Sequence, residues 1–421
     1  MRPPLSWLPR RIAATWSRKL TSTRVQQQTV RWISSIANEK HSAPLRILFC
    51  GSDTFSTASL KALHEESKSA DSIILSIDVV TRKDKYIGRG NKILSKTPLG
   101  DFAENLELPV HKIDTFTGWQ PPVYDSSFNS EINLIVAVSF GLLIPMRIIN
   151  GATYGGLNVH PSMLPNLRGA APIRWAIMNG LTHTGVSVQT LHPTKFDGGI
   201  VLAQTPYPGL QIPDKDNISP NDLTKILAPM GSELLIDVIR NKLYVPPYEA
   251  VPSTLDESGI MPAPKFTRMT QAIDFQTMSR DAILRRNRAT GRSNLLVGAK
   301  PLGSVEELTM KVGKTLRLPT GHDVPSEIQD ELLTIPKGLP YALADEEIDS
   351  GILTNPLIVN VTPDQPGRPS QLVIPDITIP SKRQDKAASA AFHANLFRPD
   401  PVKIGPYQLW LFGHPLSYPT L

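Results

Sequence analysis

The sequence predicts an α/β fold with a mostly parallel sheet, followed by a smaller β-rich domain. Over the first half of the chain, short apolar segments compatible with strands alternate with segments of helical periodicity. The apolar run Asn133–Ser139 is typical of a strand buried on both faces of a parallel sheet. Ligands of such doubly wound sheets bind at the carboxyl ends of the strands, so we expect a functional site there.

The predicted α/β unit begins with the strand Leu45–Cys50, which enters the turn Gly51–Asp53 and is followed by a helix at Thr57–Glu66. Further strands are predicted at Ile73–Thr81, Pro109–Val110, Asn133–Ser139, Gly155–His160 and Gly185–Thr190. Further helices are predicted at Pro98–Leu106, Ala171–Asn179 and Ser219–Lys242. Ser219 is the predicted cap of the last helix, with Pro220 at its first position.

A proline-rich segment at 244–264 interrupts this pattern and is predicted to be a linker. Strands are predicted beyond it at Leu357–Val361, Leu372–Ile379 and Tyr407–Phe412, with one helix at Lys382–Asn395. A small barrel is the simplest fold for that mixture. The predicted organisation is an N-terminal segment at 1–43, an α/β domain at 44–243, the linker at 244–264 and a barrel-like domain at 265–421.

Composition narrows the class of protein. A hydrophobic content of 40% with a charged content of 19% is that of a globular chain, so wholesale disorder is not expected. The single cysteine, Cys50, excludes an intramolecular disulfide framework and a cysteine metal cage. A formal net charge of +6 favours an anionic partner, although part of that charge lies in the N-terminal segment.

The N-terminal segment is basic and contains no acidic residue before Glu39. One apolar face of a helix can be formed from Leu5, Trp7, Leu8 and Ile12. This composition indicates a mitochondrial transit peptide, with a disordered basic tail as the alternative. No apolar run approaches the ~20 residues that a membrane helix needs, so we expect no membrane association.

Three polar residues are the candidate catalytic group. Asn158 and His160 lie two apart at a predicted strand end, so their side chains point the same way. An amide and an imidazole that face one point can stabilise an acyl oxyanion and move a proton. Asp197 precedes Gly198 and Gly199, where backbone can approach a ligand closely. The alternatives are loop hydrogen bonding by the Asn-x-His pair and turn formation by the aspartate.

An ordered series of motifs resembles the methionyl-tRNA formyltransferases of mitochondrial type, within the folate-dependent formyltransferase family. The motifs lie at Arg46–Phe55, Thr81–Lys92, Val138–Pro145, Asn158–Pro165, Arg168–Ile173, Phe196–Gly199, Pro262–Phe275 and Leu372–Leu396. The combination of NVHPSMLP and RGAAPI is the most specific of these. The sequence departs from the family pattern at two places. Glycine stands at position 198, where threonine is usual, and Asn287–Asn294 replaces a stretch that is usually aromatic and proline-rich.

The resemblance implies a Rossmann-like catalytic domain, a C-terminal domain of the oligonucleotide-binding-barrel type, 10-formyltetrahydrofolate as co-substrate, and no metal or nucleotide cofactor. Asn158 and His160 would stabilise the oxyanion, with Asp197 completing the trio. The folate site would be lined by Ser162, Met163, Leu164, Pro165, Phe140, Gly141 and Leu142. The expected reaction is formylation of initiator methionyl-tRNA by a monomer in the mitochondrial matrix.

Two basic regions are expected to contact the tRNA. The loop Arg82–Lys96 is made pliable by Gly88 and Gly90, and the resemblance implies that it binds the acceptor end. From Lys265 to Arg317, lysine and arginine outnumber acidic residues by eleven to four. The candidate tRNA contacts are Arg82, Lys85, Arg89, Lys92, Lys265, Arg285, Arg286 and Arg288, with Arg89 the strongest within the loop. A solvated mobile loop and a solvated helix face are the alternatives.

Two other functions remain open from the sequence. One is a different folate-dependent enzyme, either a formyltransferase for a purine precursor or amino sugar, or a formyl-folate hydrolase. The other is a noncatalytic RNA-binding or folate-binding homologue. The basic regions and the N-terminal segment favour a polyanionic acceptor in mitochondria over the acceptors of another folate-dependent enzyme. The presence of Asn158, His160 and Asp197 disfavours a noncatalytic homologue.

Overall fold

The computed structural model describes residues 40–88, 90, 92–123, 131–253, 259–291, 295–312, 316–345, 356–365, 370–379, 385–417 and 419. The chain divides into two compact units, residues 1–42 and 43–421. Every helix and strand described below belongs to the second unit. The predicted transit peptide lies outside the described residues up to position 39, and the domain boundaries stay predictions.

The α/β part contains a seven-stranded sheet. The strands of this part are β1 Leu45–Gly51, β2 Ile74–Arg82, β3 Lys85–Ile87, β4 Ile93–Ser95, β5 Val110–Ile113, β6 Leu134–Val138, β7 Gly156–His160, β8 His183–Thr184, β9 Ser187–Thr190, β10 Val201–Gln204 and β11 Leu210–Gln211. Four of them, β3, β4, β8 and β11, are short and lie outside the seven-stranded sheet. The order in the sheet is β10-β9-β7-β6-β1-β2-β5. The pairs within β7-β6-β1-β2-β5 are parallel, whereas β9 and β10 are antiparallel. The predicted mostly parallel sheet is confirmed.

Apolar side chains cover both faces of this sheet. Along β1, Ile47 and Phe49 pack into one hydrophobic core, while Leu48 and Cys50 pack into the core on the opposite face. This alternation follows from the two-residue period of a strand. It explains why β1 and β6 read as continuous apolar runs rather than as alternating patterns.

The strand order places a crevice between β1 and β6. The chain runs outward from β1 through β2 to β5 on one side, then returns to β6 and runs outward through β7 on the other. The loops that follow β1 and β6 therefore leave the sheet edge in opposite directions. Such a topological switch point is where doubly wound sheets bind their ligands.

Five helices accompany this sheet: α1 Thr54–Ser67, α2 Pro98–Asn105, α3 Met146–Ile149, α4 Pro172–Met178 and α5 Pro220–Arg240. Their starts follow ordinary capping chemistry. Asp53 accepts a hydrogen bond from Ser56 N at 3.0 Å, and Ser219 caps α5 with Pro220 at the first position, as predicted. A helix is thus set directly after β1, beside the crevice.

The C-terminal part contains two antiparallel sheets around one hydrophobic core. Its strands are β12 Leu295–Ala299, β13 Leu308–Val312, β14 Pro340–Asp345, β15 Leu357–Asn360, β16 Gln371–Ile374, β17 Asp376–Thr378, β18 Asp385–Lys386, β19 Val402–Ile404 and β20 Tyr407–Leu411. Its helices are α6 Arg268–Gln271, α7 Arg280–Ala289, α8 Gln329–Leu333 and α9 Ala387–His393, with a 3-10 turn at Ser326–Ile328. The sheet orders are β12-β13-β17-β18 and β16-β15-β14-β20-β19. This arrangement is consistent with the expected barrel.

The predicted strand Leu372–Ile379 is corrected to two strands. It breaks at Pro375, and β16 and β17 belong to different sheets. Proline has no backbone N–H to donate to a ladder, so the chain leaves one sheet there and enters the other. The strands β12, β13 and β14 were not anticipated.

The predicted linker is docked on the α/β part. Its described residues, 244–253 and 259–264, contain no helix or strand. Ala263 is fully buried, its N–H donates to Arg168 O at 2.7 Å, and its carbonyl accepts from Ala171 N at 3.1 Å. These bonds hold the loop between β7 and α4.

Among the described residues, no helix is long and apolar enough to cross a membrane.

Candidate active site

A cavity of about 710 Å³ opens at the carboxyl ends of the parallel strands, beside the crevice between β1 and β6. Its wall includes Asp53 after β1, Ser139–Ile144 after β6, Asn158–Pro161 at the end of β7, and Lys195–Asp197. The place is that expected for a ligand of a doubly wound sheet. The volume lies within the ~300–1,000 Å³ of small-molecule pockets.

Strand pairing fixes the backbone of Asn158 and His160. Both lie on β7 with one residue between them, so their side chains leave the same face. Asn158 lies opposite Ala137 of the parallel strand β6 and opposite Gln189 of the antiparallel strand β9. His160 is only 5% exposed. Two rigid strands therefore position the pair at the cavity wall.

The carboxylate of Asp197 gathers hydrogen-bond donors from three other segments. Its Oδ1 accepts from Asn158 Nδ2 at 3.0 Å and from Gln189 Nε2 at 3.2 Å. Its Oδ2 accepts from Gly169 N at 2.9 Å. His160 Nδ1 lies 3.3 Å from the same Oδ1. The three residues singled out from the sequence thus meet in one network.

Both ring nitrogens of His160 face oxygen acceptors. Nε2 lies 3.0 Å from the carbonyl oxygen of Leu167, and Nδ1 faces Asp197. The ring can donate to both only in its doubly protonated form. In that form the imidazolium carries a positive charge into the wall of the cavity, and its orientation is fixed from two sides.

Asn158 has a hydrogen left for a ligand. A primary amide nitrogen carries two hydrogens, and one of them is used in the bond to Asp197. No other described residue accepts from Asn158 Nδ2. Because Asn158 lines the cavity, this second N–H is the donor that a ligand oxygen can reach.

Three non-glycine residues around the cavity have left-handed backbone conformations. The φ values are +49° for Ser139, +57° for Leu167 and +52° for Asp197. Each such conformation costs about 1–2 kcal/mol in an L-residue, so the surrounding contacts must hold it. Backbone strain of this kind concentrates at binding and catalytic sites. Ser139 and Asp197 line the cavity, and Leu167 lies in the loop whose carbonyl faces His160.

The predicted folate-binding residues divide into two groups. Phe140, Gly141 and Leu142 line the cavity, and Phe140 packs edge-to-face against Phe116 with ring centroids 5.8 Å apart. Gly141 has φ +75°, and no atom lies within 4 Å of where its Cβ would be. These residues form an open wall that a flat ligand can approach. Their role in folate binding stays a prediction.

The second group lies outside the wall of this cavity: Ser162, Met163, Leu164 and Pro165. Their role in folate binding also stays a prediction. The segment folds into the protein because its polar atoms are satisfied there. Ser162 Oγ donates to Asn166 O at 2.7 Å, and Leu164 N donates to Ser187 Oγ at 3.0 Å. The segment thereby supports the loop whose Leu167 carbonyl faces His160.

Comparison with known proteins identifies the family. Residues 45–239 match the model of the formyl transferase family. Methionyl-tRNA formyltransferase of Anaplasma phagocytophilum is 34% identical over 245 residues, which is 58% of this chain and 74% of that protein. The chain belongs to the methionyl-tRNA formyltransferase family.

Two mitochondrial members of the methionyl-tRNA formyltransferase family match over a smaller share of their length. The protein of Saccharomyces cerevisiae is 38% identical over 258 residues, which is 54% of this chain and 63% of that protein. The protein of Bos taurus is 32% identical over 265 residues, which is 61% of this chain and 59% of that protein. The matched segments thus span less than two thirds of these relatives.

The basic loop expected to bind tRNA in a methionyl-tRNA formyltransferase forms the hairpin β3–β4. Lys85 and Lys92 are exposed, whereas Arg82 is half-buried and pairs with Asp114 at 3.0 Å. Arg89 lies outside the described residues. The hairpin also exposes large apolar side chains, namely Tyr86, Ile93 and Leu94. The described part of the hairpin thus presents cations and large apolar side chains together, and its role in tRNA binding stays a prediction.

An ion-pair network holds the base of this hairpin. Lys112 Nζ lies 2.8 Å from Asp84 Oδ2 and 2.7 Å from Glu104 Oε1, and Lys96 lies 2.9 Å from Glu104 Oε2. Hydrogen bonds from Lys112 and Lys96 lower the pKa of Glu104 to about 2. These ion pairs connect the base of the hairpin to the edge strand β5 and to α2. Lys85 and Lys92 lie further out on the hairpin and are exposed.

Of the candidate tRNA-binding arginines on α7, Arg288 is buried, and Arg285 and Arg286 are half-buried. Arg288 is 9% exposed, and its Nη2 donates to Lys215 O at 3.4 Å. Arg286 donates to the carbonyl of Ala272. The side chain of Arg285 packs against Gly180, just after α4. Lys265 is exposed, whereas Arg288 is packed against protein. The roles of these residues in tRNA binding stay predictions.

Sequence reasoning missed two residues of the network. Gly169 bonds Asp197 through its backbone N–H, and Gln189 does so through its side chain. The signal for Gln189 was its place opposite Asn158, which becomes visible only once β9 is known to pair antiparallel with β7. A backbone donor such as Gly169 leaves no signal in residue type.

Proposed function

We propose that this protein transfers the formyl group of 10-formyltetrahydrofolate to the α-amine of methionyl-tRNA, giving N-formylmethionyl-tRNA. The observation that carries the proposal is the meeting of Asn158, His160 and Asp197 at the wall of the cavity. The names of the relatives support the choice of acceptor.

The trio suits acyl transfer because charge develops on the formyl oxygen when the amine attacks the formyl carbon. Asn158 donates its second amide hydrogen to that oxygen, and the imidazolium of His160 provides a positive charge nearby. Asp197 holds both groups in place by accepting from one and facing the other. Its carboxylate also relays, through a water molecule, the proton that the attacking amine loses, while the folate nitrogen gains a proton as its bond to the formyl carbon breaks.

The cavity suits a folate co-substrate. One wall is formed by the largely apolar segment Phe140–Ile144, and the trio forms a polar wall. The open approach at Gly141 leaves room for a planar ring beside backbone. Among the described residues, no group of His, Cys, Asp and Glu has the arrangement of a metal site.

The basic hairpin β3–β4 suits a tRNA acceptor. We propose that Lys85, Lys92 and Arg89 contact phosphates of the acceptor end, while Tyr86 offers a ring face to a base. Lys265 extends this basic surface on the C-terminal side. The acid-free segment before Glu39 and the mitochondrial relatives support a place in the mitochondrial matrix, where the product serves translation initiation.

Acceptor competition tests the proposal. The full chain is incubated with 10-formyltetrahydrofolate labelled in the formyl group and with methionyl-tRNA, free methionine or an amino sugar nucleotide. We expect label only on methionyl-tRNA, released as N-formylmethionine by mild alkali. Labelled amino sugar or free methionine, with none on the tRNA, would replace this acceptor by a small amine. Release of formate without any acceptor would indicate a hydrolase.

A further inference from the structure

Gln189 lies at the centre of the catalytic network without being one of its three expected members. It is a β9 residue, only 1% exposed, and it faces Asn158 across the β7–β9 ladder. A buried primary amide has to satisfy both its N–H group and its oxygen. The partners that Gln189 uses are therefore informative about what it holds.

The amide of Gln189 connects two atoms of one turn. Its Oε1 accepts from Gly199 N at 3.2 Å, and its Nε2 donates to Asp197 Oδ1 at 3.2 Å. The backbone N–H of Gly199 can only donate, so it fixes which end of the amide is the acceptor. The N–H end is thereby directed at the carboxylate, and a flipped amide would lose both bonds.

The turn that carries Asp197 needs this restraint. Asp197 has φ +52°, in the left-handed region that is uncommon for residues other than glycine, although aspartate adopts it more readily than most. The turn is also packed tightly on β9, because a Cβ on Gly199 would overlap the carbonyl of Thr190. Ile200 N donates to Thr190 Oγ1 at 2.9 Å just after it. Of these contacts, the bond from Gln189 is the one that reaches the carboxylate itself.

We propose that Gln189 is a positioning residue for formyl transfer. It holds the carboxylate of Asp197 in the orientation that accepts from Asn158 and faces His160. Asn158 then commits one amide hydrogen to Asp197 and directs the other into the cavity. The inference rests on the proposed function, since it concerns the rate of that reaction.

This role predicts a split between rate and affinity. Gln189 acts through Asp197, so its loss misdirects the groups that stabilise the developing oxyanion. Gln189 lines the cavity but is only 1% exposed, so we expect ground-state binding of folate and tRNA to depend mainly on the wall Phe140–Ile144 and on the basic hairpin. The turnover number kcat should therefore fall while both KM values stay within about twofold.

Two substitutions separate the two bonds of the amide. Gln189→Met keeps the approximate volume and removes both bonds. Gln189→Glu keeps an acceptor for Gly199 N but replaces the donor to Asp197 with a second carboxylate oxygen. If the donor is what matters, both variants lose about 10- to 100-fold in kcat, the range expected for one hydrogen bond to a charged group. If the protein needs only the bond to Gly199, Gln189→Glu keeps its rate.

The matched control is Gln371→Met in the C-terminal part. Gln371 is also buried, at 4% exposed, and its Nε2 donates to Tyr341 Oη at 2.9 Å and Asn360 Oδ1 at 3.1 Å. Its loss should lower the unfolding midpoint without lowering kcat. Comparable unfolding midpoints in Gln189→Met and Gln371→Met would separate the loss of rate from a general loss of stability.

The experiment measures formylation of methionyl-tRNA by the full-length wild type and the three variants, with KM for each substrate and the unfolding midpoint. Loss of kcat in both Gln189 variants at unchanged KM supports the proposal. Full kcat in Gln189→Glu overturns it even if Gln189→Met fails to fold. If the wild type transfers formyl and Gln189→Glu keeps full kcat, only the role of Gln189 is overturned. No transfer by the wild type overturns the proposed function and, with it, this role.

Discussion

His160 Nδ1 lies 3.3 Å from Asp197 Oδ1, while its Nε2 lies 3.0 Å from the carbonyl oxygen of Leu167. The imidazole is thus held between a carboxylate and a backbone carbonyl that comes from a loop seven residues further along the chain. Neither partner is a donor, so a ring nitrogen that bonds either of them must itself carry the hydrogen. This relationship links the fold of the 161–169 loop to the chemistry of the cavity.

The first prediction concerns His160. Replacing it with alanine removes the imidazole that we propose stabilises the oxyanion, so kcat for formyl transfer should fall by about 100-fold or more. The KM for 10-formyltetrahydrofolate should change little, because His160 is one edge of a large cavity. Steady-state kinetics with methionyl-tRNA measure both quantities. His183→Ala, on β8, is the control and should keep its rate. Unchanged turnover in His160→Ala would show that the imidazole is not needed for formyl transfer.

The second prediction concerns Gly169, whose N–H binds Asp197. Gly169 has φ +128°, and a Cβ there would overlap the carbonyl of Ala263. Gly169→Ala must therefore move the loop away from the linker, which should cost about 1–3 kcal/mol of unfolding free energy and lower kcat. Denaturant unfolding and formylation kinetics measure the two effects.

The control for Gly169 is Gly303→Ala. Gly303 also has positive φ, at +74°, but no atom lies within 4 Å of the added Cβ. It should lose about 1 kcal/mol from backbone strain and keep its full rate. If Gly169→Ala behaves like Gly303→Ala in both assays, the contact between the loop and the linker is unimportant for the site.

The third prediction concerns the basic hairpin. Substituting Lys85 and Lys92 together with alanine should raise KM for methionyl-tRNA and leave KM for the folate unchanged. Each lost phosphate contact should also flatten the plot of log(kcat/KM) against log salt by about 0.7–0.9. Lys61→Ala on α1 is the control, because Lys61 is exposed but lies outside the hairpin. A salt slope equal to that of the wild type would locate the RNA contacts elsewhere.

The same assay tests Arg89, which stays a prediction from sequence. Arg89→Ala should reproduce the loss of tRNA affinity seen with the lysines, again without an effect on folate KM. A variant with unchanged KM for methionyl-tRNA would leave Lys85 and Lys92 as the cations of the loop that matter.

The fourth prediction concerns stability and pH. Arg317 holds Asp323 through hydrogen bonds, one of them at 2.7 Å, and lowers the pKa of that carboxyl well below its usual range. A carboxyl with a lowered folded-state pKa adds its full stability above its unfolded pKa, about 3.9. That stability is lost progressively as the pH falls from there through the lower folded-state pKa. Arg317→Met should thus be less stable than the wild type at pH 7 by about 1–2 kcal/mol.

Denaturant unfolding at pH 7 and at pH 2.5 measures this difference, which should shrink at the lower pH. Lys225→Met is the control, because Lys225 and Asp222 form an exposed pair on α5 that should contribute less than about 1 kcal/mol. A gap between wild type and Arg317→Met that is constant from pH 7 to pH 2.5 would show that packing of Arg317, and not its charge, provides the stability.

The sequence predicted the α/β sheet, and it singled out three residues that the structure brings together: Asn158, His160 and Asp197. The catalytic role of these residues stays a prediction. Apolar runs mark buried strands, and the Asn-x-His spacing on β7 determines which side chains share a face. The trio also required a contact between residues 39 positions apart. The resemblance to a family provided that pairing, and the bond from Asn158 to Asp197 at 3.0 Å confirms that the two residues are neighbours.

Other features depend on long-range packing and could not be inferred from local pattern. The charge of Arg288 suggested a solvated surface, but its burial depends on α7 packing beside Lys215. Pro375 signals a break in a strand without telling which sheet each half joins. The role of Gln189 required the antiparallel pairing of β9 with β7, which no periodicity in the four residues of β9 indicates.

The central claim is that Asn158, held by Asp197 and placed beside His160, stabilises the oxyanion when a formyl group passes to methionyl-tRNA. The most direct measurement is the single-turnover rate of labelled formyl transfer to methionyl-tRNA by the wild type and by Asn158→Ala, with both substrates saturating. The account predicts transfer by the wild type and a rate about 100- to 1,000-fold lower in the variant. Equal rates, or a wild type that leaves methionyl-tRNA unformylated, would contradict it.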